Sequence, residues 1–280
     1  MPQSLYNRWA ALELGNTTLY LDNPDQGWIC QELDLGYPGV REVIDNSPDQ
    51  HGTVDRTAFF SQRVVSAKIM AVAAPGWGLD SVVRQFMPFL DPGSRPALHY
   101  ADDYGGEERV LILRGSQFSS PMGIPPERPF QMTWVAGDPI AKGVTLQEQS
   151  VHGGLSGRCR NGGQLPVPPV VIIVGPITRP VVTFTRLSDN SKIGAVALVA
   201  GYSVPANSNV VIDTRAKTAL LNGDPNQSVF NQVDWAATQW PVLPIISVDD
   251  TMFAMTGDPN GLAQTNITAA VVQWNNWYLL

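Results

Sequence analysis

Apolar residues in this chain recur in short runs of strand length, each closed within a few residues by Gly, Pro or Asn-Gly, and almost nowhere at helical spacing. Such a chain cannot cover itself with helices. It must satisfy its backbone by pairing short strands laterally and bury their apolar faces between sheets. Gly 25 and Pro 23, scattered along the length, supply the turns those strands need.

The longest run, Arg63 to Ala74, is rich in β-branched residues and stops at Pro75-Gly76. Arg109 to Leu113 and Phe130 to Val135 read as shorter strands, the former opening after Tyr104-Gly105-Gly106. One helix is expected over Leu79 to Leu90, where Leu79, Val83, Phe86 and Leu90 share a stripe that should lie on a sheet. Asp80 would cap it, Pro88 would end it at Met87, and Asp91-Pro92-Gly93 stops the run. Turns at Gly137-Asp138-Pro139 and Gly257-Asp258-Pro259 continue the punctuation.

Between His152 and Pro169 the composition shifts. His152-Gly153-Gly154-Leu155-Ser156-Gly157, Asn161-Gly162-Gly163 and Pro166-Val167-Pro168-Pro169 are too polar and irregular for a core element. Residues 152–169 therefore read as a crossing between a β-rich domain at 1–151 and a β-sandwich at 170–280. Past the crossing, strands are expected at Val170 to Val174, Pro180 to Thr185, Ala195 to Val199, Asn209 to Ile212 and Lys217 to Leu221. Asp213-Thr214-Arg215-Ala216 makes a hairpin loop and Asn222-Gly223 a tight turn. Leu243 to Val248, Met252 to Met255 and Asn266 to Trp277 complete the series, a spacing that indicates a sandwich or jelly roll.

The 280 residues are 44% hydrophobic and 15% charged, which fits extensive burial in sheets or subunit contacts and opposes disorder. The net charge is −7 with no cluster of Lys and Arg, so sequence-specific nucleic-acid binding is not expected. Met1 to Trp9 lacks the charged and apolar regions of a signal peptide, and no run approaches membrane-spanning length; synthesis as a soluble cytoplasmic protein is expected. Under that expectation Cys30 and Cys159 read as ordinary buried thiols, and the sequons at Asn16, Asn226 and Asn266 carry no meaning.

Catalytic patterns are missing. His51, His99 and His152 are widely separated and show no metal spacing, so each reads as solvated or structural. Asp102-Asp103, Glu107-Glu108 and Asp249-Asp250 are adjacent pairs, which a strand would point to opposite faces and not at one sugar. Gly154-Leu155-Ser156-Gly157 lacks the spacing of a nucleophile elbow, and no phosphate-binding Gly-Lys-Ser/Thr occurs. No catalytic, cofactor-binding or metal-binding residue is assigned, and no cofactor is expected. Among the eight tryptophans, Trp235, Trp240, Trp274 and Trp277 could stack on sugars; burial in a core or an interface is the simpler account.

Four patches, in order, resemble the siphophage distal tail protein family. They are Leu33-Asp34-Leu35-Gly36-Tyr37-Pro38 with Pro48-Asp49-Gln50-His51-Gly52-Thr53-Val54-Asp55, then Phe59-Phe60-Ser61-Gln62-Arg63-Val64-Val65 leading by way of Ala71 to the helix at Leu79. Next comes Phe130-Gln131-Met132-Thr133-Trp134-Val135-Ala136-Gly137-Asp138-Pro139. The last is Val174-Gly175-Pro176-Ile177-Thr178-Arg179-Pro180 with Val204 to Thr214, ending Ile212-Asp213-Thr214. The resemblance implies a mainly β fold: an N-terminal ring-forming β domain with one helix, and a C-terminal galectin-like β-sandwich.

It also implies a non-enzymatic virion protein of the tail, assembled in the host cytoplasm. Its partners would be five further copies in a homohexameric ring, the tail tube protein above and the tail-tip protein below, with a channel for DNA passage and no membrane contact. Arg63 to Ala74 and the hairpin before it would offer the edges that neighbours complete. A tail-borne carbohydrate-binding module contacting host glycan is the second reading, and a β-sandwich glycosidase the third.

Overall fold

A computed structural model describes residues 10–41, 44–46, 53–55, 59–72, 78–101, 107–120, 127–152, 155–246, 249–258 and 268–279. The chain divides into two compact units, Met1–Val144 with Tyr278–Leu280, and Thr145–Trp277.

The first unit opens with β1 (Ala10–Leu14), β2 (Thr17–Tyr20), β3 (Trp28–Asp34), β4 (Val40–Arg41), β5 (Ile44–Asn46), β6 (Thr53–Asp55), β7 (Phe59–Phe60) and β8 (Arg63–Val72). It continues through α1 (Leu79–Arg84), β9 (Ala97–Tyr100), β10 (Arg109–Ile112), β11 (Arg114–Ser119), β12 (Glu127–Ala136) and β13 (Ala141–Gly143). The second holds β14 (Gln147–His152), β15 (Ser156–Cys159), β16 (Val170–Val174), β17 (Ile177–Arg186), β18 (Lys192–Ala197), β19 (Ser203–Val204), β20 (Asn209–Asp213), β21 (Thr218–Leu221), β22 (Thr251–Asp258) and β23 (Thr268–Trp274). The last strand is β24 (Trp277–Tyr278). The mainly β expectation holds.

In the first unit β8 buries every second residue, Arg63, Val65, Ala67, Ile69 and Ala71, and β12 answers across the ladder with Phe130, Met132, Trp134 and Ala136. Their four-stranded sheet runs β11-β12-β8-β3, and a six-stranded sheet runs β2-β1-β9-β10-β13-β24. Leu12, Leu98 and Leu111 of the second sheet join the same core. From Ser66 to Ala71 β8 is paired on both sides, by β12 and by β3, so this stretch offers no edge to a neighbouring copy, contrary to the expectation.

The helix is shorter than expected. α1 ends at Arg84, and Met87–Leu90 follows as a 3-10 turn, since Pro88 has no N–H to continue an α-helix. Asp80 does not cap: Gly78 occupies that position, and Asp80 pairs with Arg128 at 2.6 Å. Burial falls on Val82, Val83, Phe86 and Phe89. Phe86 meets Trp28 and Phe130 edge-on at 5.3 and 5.1 Å, each such pair adding about 0.5–1.5 kcal/mol beyond area burial.

The second unit is built on two sheets, β14-β23-β16-β20-β21 and β15-β22-β17-β18, with β19 paired to β17. Val171, Ile173, Val210 and Ile212 from one meet Val182, Phe184, Phe253 and Met255 from the other in one core. Leu243 to Val248 was expected as a strand, but its described part, residues 243–246, forms none, and Ser247 and Val248 lie outside the described residues. Pro241 and Pro244 cannot donate to a ladder, and only single bridges, Val167↔Leu243 and Asn161↔Ile245, tie the segment down.

The boundary also differs from expectation. It falls between Val144 and Thr145, and the Gly/Pro-rich stretch belongs to the second unit, where β15 pairs with β22. Buried Asn161 organises that stretch, donating to the carbonyls of Leu165 at 2.8 Å and Leu243 at 3.2 Å and accepting from Gly163 N–H at 3.0 Å. A buried amide with three partners replaces the missing ladder. Among the described residues no helix is long and apolar enough to cross a membrane.

Candidate functional site

β4 pairs with β7, and β5 with β6, in two nested ladders that join none of the larger sheets. Among the described residues no third strand joins either ladder. Val40 pairs with Phe60, and these two, with Tyr37 and Val64, are each more than a third exposed.

The base itself is held firmly. Ser61 N–H and Oγ–H both donate to Gly39 O, at 2.7 and 3.0 Å. Asp34 Oδ1 accepts from Gly36 N–H at 2.8 Å, and Gly36 takes φ +60°, where a Cβ would stand 2.1 Å from Val64 O. Only glycine allows that approach. Arg63 is fully buried, and its Nε donates to Leu35 O at 2.6 Å and Gly36 O at 3.1 Å, with Nη1 reaching Pro139 O at 3.5 Å. A buried guanidinium is tolerated because carbonyl dipoles replace water. The turn before β4 is thereby fastened to the end of β12. Burial pushes the Tyr100 hydroxyl above its usual range, and the nearby charges of Arg63 and Arg109 partly oppose that rise.

Arg63 was legible only as strand; its place on the buried parity of β8, in step with Val65, Ala67 and Ile69, is the signal that marks it as an interior cation. Tyr278 is legible as part of an aromatic last strand, but its partners are not. It is buried, donates its hydroxyl to Glu107 at 2.6 Å, and lies under the Arg109 guanidinium at 4.2 Å.

Among the described residues, His99 and several acids have side-chain partners. His99 bridges Glu13, at 3.2 Å from Nε2, and Glu108, at 2.8 Å from Nδ1, a pairing made by strand register and not by sequence spacing. His152 ends β14 exposed, while His51 and Asp102-Asp103 lie outside the described residues. Glu107 and Glu108 serve different partners, as alternation on an extended segment requires. Asp250 is buried and paired with Arg158 and, at 3.4 Å, with Arg160 Nε; Asp249 accepts from Ser188. Ser156 lies on β15 opposite Ala254, and its neighbour Gly154 is outside the described residues. Among the described residues no His/Cys/Asp/Glu group suited to a metal gathers.

Both cysteines are buried free thiols. Burial first, then Asp22 and Glu32, push the Cys30 thiol up to about 11, against a weaker opposing bond to Glu32 O; burial alone raises Cys159. Of the four tryptophans, Trp274 is buried and Trp277 part-buried, with the Arg215 guanidinium 4.7 Å from its ring. Trp235 stands half exposed between Phe230 and Trp240.

No protein-family model and no curated protein matches this sequence. Among solved structures, the Dit (gp 19.1) protein of phage SPP1, described as a paradigm of hub adsorption apparatus in Gram-positive infecting phages, aligns with TM-score 0.66 at 11% identity, covering 96% of this chain and 98% of that one. The phage P2 baseplate in its activated conformation with Ca gives TM-score 0.44 at 10% identity over 96% and 98%. The same baseplate with Sr gives 0.44 at 11% over 95% and 98%. Over nearly its whole length, the chain has the fold of the SPP1 Dit protein.

Proposed function

We propose that this chain is a non-enzymatic structural protein of a phage virion, forming a hexameric ring at the distal end of a long non-contractile tail. The ring links the tail tube above to tail-tip proteins below and leaves a channel for DNA. The observation that carries the reading is the pair of nested ladders at β4–β7 and β5–β6, self-paired, apolar at the base and anchored by buried Arg63. An element of that kind, repeated around an axis, is completed by the next copy, and a closed ring leaves no edge to aggregate. The fold shared with the SPP1 hub protein supports the same role. The second unit is read as a galectin-like sandwich.

Native mass spectrometry and negative-stain imaging of the purified chain test this. A sixfold ring with a central hole is expected. Imaging of the tail would overturn the reading if the polypeptide were missing from the tube–tip junction, or lay there without encircling the axis.

A further inference from the structure

We propose that Phe230, Trp235 and Trp240 of the second unit form a binding platform for a neutral carbohydrate. Phe230 and Trp235 lie 4.7 Å apart at 67°, and Trp235 and Trp240 5.9 Å apart at 65°, so successive rings stand nearly at right angles. Trp240 packs against the core while Trp235 is 50% and Phe230 37% exposed, giving a step anchored at one end and open at the other. Trp274, by contrast, is spent on the interior.

The segment bearing the rings is fixed in advance. Val233 bridges Leu198, and Gln239 exchanges two backbone hydrogen bonds with Ala195, at 2.7 and 2.9 Å. Thr238 Oγ1 accepts from Ala197 N–H at 3.1 Å. A surface already ordered loses little entropy when a ligand arrives.

Charge decides the ligand class. From Pro225 to Ile246 the only ionisable side chain is Asp234, and its Oδ1 is committed to Ala236 N–H at 3.0 Å and Ala237 N–H at 3.2 Å. Single-stranded nucleic acid stacks on aromatics too, but needs a cationic track; the cations beside this segment are Arg186 and Lys192, which line a cavity with Val242 and Pro244 beyond the rings. The polar neighbours are neutral amides, Asn231, Gln232 and Gln239. Aromatic faces beside uncharged amides suit a pyranose, which is apolar on its C–H face and hydroxylated at its rim.

The test titrates the full chain with neutral tetrasaccharides of glucose and of N-acetylglucosamine, read by tryptophan fluorescence and calorimetry. Millimolar or tighter binding of at least one is expected, with Trp235→Ala weakening it about tenfold or more while the thermal midpoint stays put. Absence of binding across the panel, or equal binding by W235A, overturns the proposal. So does loss of self-association in W235A, which would make the step a contact between protein chains; native mass spectrometry of the same variant reads that directly.

Discussion

Arg63 Nε donates to the carbonyl oxygen of Leu35 at 2.6 Å across a separation of 28 residues. The bond joins the first residue of β8 to the turn that launches β4, and it does so from a side chain with no exposure to solvent. One Nη2 finds no partner, so the anchor is held at the cost of incomplete satisfaction. A position that keeps a buried cation where a leucine would pack is doing so for geometry.

Arg63→Leu should therefore lower folding stability by about 2–4 kcal/mol, because its charge-assisted bonds to the carbonyls of Leu35, Gly36 and Pro139 vanish. Urea unfolding measures the loss. Ring yield on native mass spectrometry should fall further than stability accounts for, compared with a core variant of matched stability. Equal yields in the two would detach the anchor from assembly.

Two glycines with the same φ of +60° should respond differently to alanine. At Gly15 nothing lies within 4 Å of the new Cβ, so only the left-handed backbone costs, about 1–2 kcal/mol. At Gly36 the Cβ would sit 2.1 Å from Val64 O, and the backbone must move. Gly36→Ala is expected to destabilise clearly more than Gly15→Ala in parallel denaturant titrations. A reversed order would show that the Gly36 turn yields easily.

The strand alternation in β8, β12 and β16 was legible because each residue's neighbours in sequence define its face. What sequence hid depends on pairing between distant segments. The central position of β8 between β12 and β3, the bridge from Glu13 through His99 to Glu108, and the return of Tyr278 to the first unit all come from register. Periodicity says which side of a strand is buried, not which strand lies beside it. The helix differs for a local reason: Pro88 marks an end at Met87, but the α-turns already stop at Arg84, and in the 3-10 turn that follows burial falls on Phe89 and not on Leu90. The aromatic step of Phe230, Trp235 and Trp240 was half visible, as tryptophans without a way to separate the buried from the exposed.

Burial holds the Cys30 thiol at about 11 against an ordinary 9.0, so the folded chain keeps the proton longer than the unfolded one. The stabilising contribution is complete below pH 9.0 and is lost as pH rises through about 11. At pH 8 roughly a thousandth of Cys30 is thiolate, and iodoacetamide should leave the native protein nearly unlabelled while labelling it promptly in denaturant. Cys30→Ala should remove part of the alkaline decline in stability. Prompt native labelling at pH 8 would contradict this.

The chain leaves the first unit after Val144 and regains it at Tyr278, which closes the six-stranded sheet beside β13 through β24. Within the second unit the two ends of the excursion already meet: Gln147 pairs with Trp274, and Asn275 Nδ2 donates to Thr145 O at 3.3 Å. The second unit is thus an insertion whose ends lie close together, and the first unit depends on residues that follow it. Tyr278→Phe removes the hydroxyl and its bond to Glu107 and should cost about 1–2 kcal/mol. Tyr278→Ala also removes the ring beneath Arg109 and should cost about 3–5 kcal/mol. Both losses should fall on the unfolding of the first unit, followed by hydrogen exchange at β10 and β13, with protection in β16 and β20 unchanged. Equal loss of protection in β16 would show that the last strand supports the second unit instead.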